Sequence, residues 1–146
     1  MGHIEVVREL PATPEALFAI ISNPATWSDW FSIHEHWLEE PPATLETGAK
    51  LVAKILMLGM ANKIEWTVGT VEAPGLLVLG GTGMAGVKCG FSFAIAPAAA
   101  GSTVTVSGDF EGALIKGALG KAAEKDGAKQ LDKSLAKLAE LAATAA

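Results

Sequence analysis

The chain has no tyrosine and one cysteine, Cys89, in 146 residues. The first absence excludes chemistry built on a phenol. The second excludes an internal disulfide and a cysteine-based zinc site. Charge is scarce as well, 18% of residues, with 11 Lys+Arg against 16 Asp+Glu for a net −5 at pH 7. Nucleic acid is held by clustered positive charge, so direct nucleic-acid binding is not expected. What the chain has instead is apolar surface: 50% of residues are hydrophobic and the mean hydropathy is +0.36. Disordered chains have the opposite balance. The length suits a single domain over residues 1–146.

Such hydropathy raises the question of a membrane span. The longest charge-free stretch, residues 89–108, is nominally long enough for one. It is interrupted by Pro97, by an Ala-Gly-Ser turn at Ala100–Ser102, and by the alternation Thr103-Val104-Thr105-Val106, which reads as two strands and a turn. The start, Met1-Gly2-His3-Ile4-Glu5-Val6, lacks the basic-then-apolar build of a signal peptide, and Val6 breaks the myristoylation pattern. The expectation is a soluble, cytoplasmic protein without a membrane span.

Residues 3–9 alternate like a strand. Thr13-Pro14-Glu15 then predicts a helix start, with Thr13 as N-cap, Pro14 in the first turn and Glu15 at the positive end of the dipole. Leu17, Phe18, Ile20 and Ile21 give that helix a buried side, and Asn23-Pro24 ends it. A second short helix or turn carries Trp27 and Trp30. Period-two alternation with Gly, Pro and Asn punctuation predicts strands near 32–39, 49–58, 62–73, 76–82, 87–96 and 102–111. From about Ala113 onward the Ala-, Leu- and Lys-rich sequence predicts one long helix.

Strand parity assigns faces. Leu51, Ala53, Ile55 and Met57 point inward, as do Ile64, Trp66 and Val68, then Val87, Cys89, Phe91, Phe93 and Ile95, and finally Val104, Val106 and Phe110. On the long helix, Leu131, Leu135, Leu138 and Leu141 or Ala142 form an apolar stripe. Continued backward, that stripe reaches Ala128, Gly127, Glu124, Gly120 and Gly117, small or charged where a packed core wants Leu. Each helical glycine costs about 0.8–1 kcal/mol relative to Ala. Two readings explain the cost: a void between sheet and helix, or close packing with glycines opposite Trp66 and the phenylalanines.

The chemical motifs are sparse. Gly81-Thr-Gly83-Met-Ala-Gly86 has dinucleotide-binding spacing, but a strand follows where that motif needs a helix. His34 and His36 would share a face of a strand, yet only His3 remains to complete a metal set, so no metal and no cofactor are expected. His34 reads as a polar group of the interior, with an ordinary pKa near 6.5 available for acid–base work. No serine stands on a nucleophile elbow. No catalytic residue is assigned, and the reading leans away from an enzyme. Lys121, Lys125, Lys129, Lys133 and Lys137 recur every fourth residue, either a solvated face or a docking surface for an acidic partner or membrane.

Pro11-Ala-Thr-Pro14-Glu15-Ala-Leu-Phe18, the run from Asn23-Pro24 through Trp27 to Trp30, and Gly48 before the next strand resemble the START-like, SRPBCC superfamily over the whole chain. The resemblance implies an α+β helix-grip fold: an antiparallel sheet of about seven strands around a long C-terminal helix, with two short helices after strand 1. Trp30-Phe-Ser-Ile-His34-Glu-His-Trp37, Asn62-Lys-Ile-Glu-Trp66-Thr and Gly83-Met-Ala-Gly-Val-Lys88 are similar to an actinobacterial branch. Its members are described as toxin-like parts of type II toxin–antitoxin pairs or as polyketide cyclase/dehydrase proteins. The resemblance implies a hydrophobic cavity between sheet and helix, for a lipid, isoprenoid or polyketide-like molecule. The candidate ligand-binding residues are Trp30, His34, His36, Ile55, Met57, Ile64, Trp66, Cys89, Phe91, Phe93, Phe110, Leu114, Gly117 and Gly120. A protein partner, antitoxin or ribosome, is the alternative, and a polyketide cyclase is a third possibility. Fold alone does not choose among them.

Overall fold

The computed structural model describes residues 2–57, 60–83, 87–99, 101–111 and 117–145. Strand β1 (Gly2–Leu10) leads into α1 (Pro14–Ile21), a short 3-10 turn (Pro24–Thr26) and α2 (Trp27–Trp30). Six strands follow: β2 (His34–Trp37), β3 (Lys50–Met57), β4 (Met60–Glu72), β5 (Leu76–Gly83), β6 (Lys88–Ala98) and β7 (Gly101–Glu111). Helix α3 (Gly117–Ala145) ends the chain. The strands form one seven-stranded antiparallel sheet in the order β1-β7-β6-β5-β4-β3-β2. This is the α+β helix-grip architecture.

Local chemistry explains the elements. The Thr13 hydroxyl accepts from Ala16 N at 3.2 Å, satisfying a donor that the first turn of α1 leaves open. Asn23 Oδ1 does the same for Ala25 N at 3.1 Å and starts the 3-10 turn. Leu17, Phe18 and Ile21 are buried, and Ile20 is half-buried.

The inward parity holds for every described position. Leu51, Ala53, Ile55, Ile64, Trp66, Val68, Phe91, Phe93, Ile95, Val104, Val106 and Phe110 are buried, and Val87 and Cys89 pack half-buried beside them. Met57 ends β3, but its side chain lies outside the described residues. On α3 the stripe Leu131, Leu135, Leu138 and Ala142 is buried, with Leu141 packed at its margin. One buried residue of that helix is polar. Ser134 accepts from Ser32 N at 2.9 Å, while the Ser32 hydroxyl donates to Gln130 O at 2.7 Å. These bonds pin α3 to the segment after α2.

The second strand departs from expectation. Its span is His34–Trp37 rather than 32–39, and its pairing with β3 shifts between His34 and His36. The irregularity offsets the period-two alternation. His34 is therefore buried while Glu35 and His36 are exposed and Trp37 is half-buried. The expected shared face of His34 and His36 does not form.

Candidate functional site

The interior beneath α2 is a cluster of rings centred on Phe31. Its centroid lies 5.3 Å from Trp30, 5.6 Å from Trp27, 5.8 Å from Phe91, 6.0 Å from Phe93 and 6.4 Å from Trp66. Most of these contacts are edge-to-face, the arrangement the ring quadrupoles favour. Trp30, Trp66, Phe91 and Phe93, expected as walls around open space, instead close on one another through Phe31. Sequence parity missed Phe31 because it sits in the turn after α2 rather than on a strand.

His34 borders this cluster. Its ring lies edge-on to Trp27 at 6.1 Å and 4.5 Å from Trp37. Neither ring nitrogen has a hydrogen-bond partner. Burial, with a smaller contribution from the charge of His36, pushes its pKa down to about 4. This corrects the expected ordinary value: the imidazole is neutral at physiological pH. Trp66 Nε1 is likewise buried without a partner, whereas the indoles of Trp27, Trp30 and Trp37 donate to Ile21 O, Thr26 Oγ1 and Pro24 O.

Open space lies at one end of the sheet, where the start of β6 and the end of β7 meet β1 and the first turns of α3. There a hollow of about 570 Å³ is lined, among the described residues, by His3, Lys88, Cys89, Gly90, Asp109, Phe110, Glu111 and Glu124. Phe110 also borders a cleft of only about 10 Å³ under α3, with Ile4, Ile33, Phe91, Asp126, Gly127 and Leu131. So the helix is packed tightly at Gly127, while Glu124, three residues earlier, borders the hollow.

Among the described residues, Cys89 and Phe110 are the expected ligand-site residues that line the hollow. Phe91 borders the small cleft, while Trp30, Ile55, Ile64, Trp66 and Phe93 are core. His36 faces solvent on the far edge strand. Leu114 lies outside the described residues, as do the surroundings of Gly117 and Gly120, whose backbone forms the first turn of α3. Burial raises the Cys89 thiol to about 12, so it is a neutral apolar contact rather than a nucleophile.

The polar rim was not anticipated as a site, although Glu124 stood out as a charge on the apolar stripe. His3 Nδ1 lies 2.5 Å from Asp109 Oδ1, and that hydrogen bond raises the His3 pKa above its ordinary value. His3 N donates to Glu124 Oε2 at 3.4 Å, a long bond that joins β1 to α3. Among the described residues no group of three or more His, Cys, Asp or Glu is placed to hold a metal. No described helix is long and apolar enough to cross a membrane.

Solved structures share this architecture. A START superfamily protein from Mycobacterium smegmatis matches with TM-score 0.79 at 17% identity, over 97% of this chain and 99% of that one. A protein from Thermus thermophilus matches with TM-score 0.79 at 14% identity, over 99% of both chains. In sequence, an uncharacterised Mycobacterium tuberculosis protein is 29% identical over 141 residues, 97% of this chain and 99% of that one. Another M. tuberculosis protein, named a toxin, is 30% identical over 112 residues, 77% of this chain and 78% of that one. The family model described as polyketide cyclase/dehydrase and lipid transport matches residues 1–143. With nearly its whole length matched and a START-like fold, the chain belongs to the polyketide cyclase/dehydrase and lipid transport family.

Proposed function

We propose that this protein binds or carries a small hydrophobic molecule, a lipid, isoprenoid or polyketide-like compound, in the hollow between the β6–β7 end of the sheet and the first half of α3. One observation carries the reading: a space of about 570 Å³ whose lining includes the apolar Cys89 and Phe110. Ligand sites usually occupy about 300–1,000 Å³ and combine apolar walls with a few polar groups.

The same reading gives neither His34 nor Cys89 a catalytic role. A general base works best with a pKa near the operating pH. His34, held near 4, is poorly matched to that task, and the Cys89 thiol stays protonated.

A second reading rests on the relative named a toxin. In it the chain acts through contact with a protein, an antitoxin or the ribosome. A short antitoxin-like reading frame immediately upstream would favour that alternative.

Titration with fatty acids, isoprenoids and flat polycyclic compounds, read by tryptophan fluorescence and native mass spectrometry, tests the ligand reading. At least one class should bind saturably. Absence of any saturable response in the wild-type protein overturns the reading.

A further inference from the structure

The inward stripe of α3 passes through the buried Leu138, Leu135 and Leu131 to Gly127, which packs on Ile4. One further step of three residues brings it to Glu124. A residue at that position would ordinarily add apolar area to the core. Here it is a carboxylate lining the hollow, with Cys89 and Phe110 in the same lining.

The other rim charges have counterparts across strands. His3 stands opposite Asp109 in the β1–β7 register and bonds it at 2.5 Å. Lys88 stands opposite Glu111 in the β6–β7 register. Among the described lining residues Glu124 alone comes from the helix, and His3 N reaches its Oε2 at the long distance of 3.4 Å. An ionised carboxylate can only accept hydrogen bonds, and it repels a second anion.

We propose that Glu124 selects what the hollow takes: an apolar body carrying a hydrogen-bond donor, hydroxyl or ammonium, in preference to one ending in a carboxylate. The inference rests on the ligand reading above and adds a specificity-determining residue to it. The apolar portion lies against Cys89 and Phe110, and the donor meets the Glu124 carboxylate. Rejection of an anionic end group supplies discrimination that apolar contact cannot.

Decanol, decylamine and decanoate share one chain length and differ at the end group. Their binding to the full chain is measured by titration calorimetry at neutral pH, below micelle formation. Decanol and decylamine should bind about tenfold or more tightly than decanoate, the size expected of one partly solvated charge contact. Glu124→Gln should remove most of that difference, by strengthening decanoate binding and weakening that of decylamine and, to a lesser degree, decanol. Glu124→Lys should make decanoate the preferred probe, and it serves independently if the glutamine variant does not fold. Binding whose order is the same in wild type and both variants, or a wild-type preference for decanoate, overturns the role of Glu124 alone. Failure of all three probes to bind wild type overturns this proposal, and if the broader titration is also silent, the ligand reading with it.

Discussion

A Cβ on Gly127 would stand 2.8 Å from Cδ1 of Ile4, so α3 meets β1 with bare backbone at that point. Of the two explanations for glycine on the inward stripe, close packing holds at Gly127. Replacing Gly127 by Ala gains helix propensity worth about 1 kcal/mol, but it forces the end of the Ile4 side chain aside. Ile4→Val removes the obstructing Cδ1 atom. The double variant should therefore be more stable than the two single changes predict, with a coupling of about 1 kcal/mol, measured by urea unfolding of all four proteins. Strict additivity would show that Ile4 yields without cost.

Gly81 is a harder case. Its Cβ would lie 2.6 Å from Ile64 Cδ1, 2.9 Å from Cys89 Sγ and 2.9 Å from Trp66 Cε3. The indole is rigid and held within the ring cluster, so the conflict has no cheap outlet. Gly81→Ala should lose about 1–3 kcal/mol in chemical denaturation. It should also change the Trp66 environment in near-ultraviolet circular dichroism.

His34 predicts an acid sensitivity. Its folded pKa, near 4, lies below the ordinary 6.5 of the unfolded chain. Above pH 6.5 both states are neutral and the residue adds no pH dependence. As pH falls from 6.5 toward 4 the unfolded chain takes up a proton that the folded one refuses, so stability declines. The loss from this residue is on the order of 2–3 kcal/mol and is complete near pH 4. His34→Phe should flatten stability over that interval, in unfolding curves collected across the pH range. An equal slope in the variant would assign the acid sensitivity to other groups.

His3 titrates in the opposite direction. Its bond to Asp109 favours the imidazolium, so its midpoint in an NMR titration should lie above 6.5. Asp109→Asn should lower that midpoint. The stabilisation from the pair is present below the unfolded pKa and fades as pH rises through the folded one, which fits the sign of the shift. Both side chains are exposed, so the effect on global stability should be small.

The inner face was legible along the chain because burial on a strand repeats every second residue. Trp66, Phe91, Phe93 and Phe110 follow from parity, and Thr13 announces the start of α1 through the N–H groups a helix leaves unpaired. Leu131, Leu135 and Leu138 mark the buried side of α3 through their 3.6-residue period. All of these depend on neighbours within one or two turns or pleats. The position of the hollow has no such local signature. It arises because Phe31, from a turn, enters the ring cluster and occupies space that parity alone would leave open, while His3, Cys89, Asp109, Phe110 and Glu124 meet from β1, β6, β7 and α3. The shift between His34 and His36 likewise depends on pairing with β3. Periodicity therefore determined which side of each element is apolar; only the assembled sheet and helix decided where that apolar surface is filled and where it is left open, because filling depends on volumes brought together from distant parts of the chain.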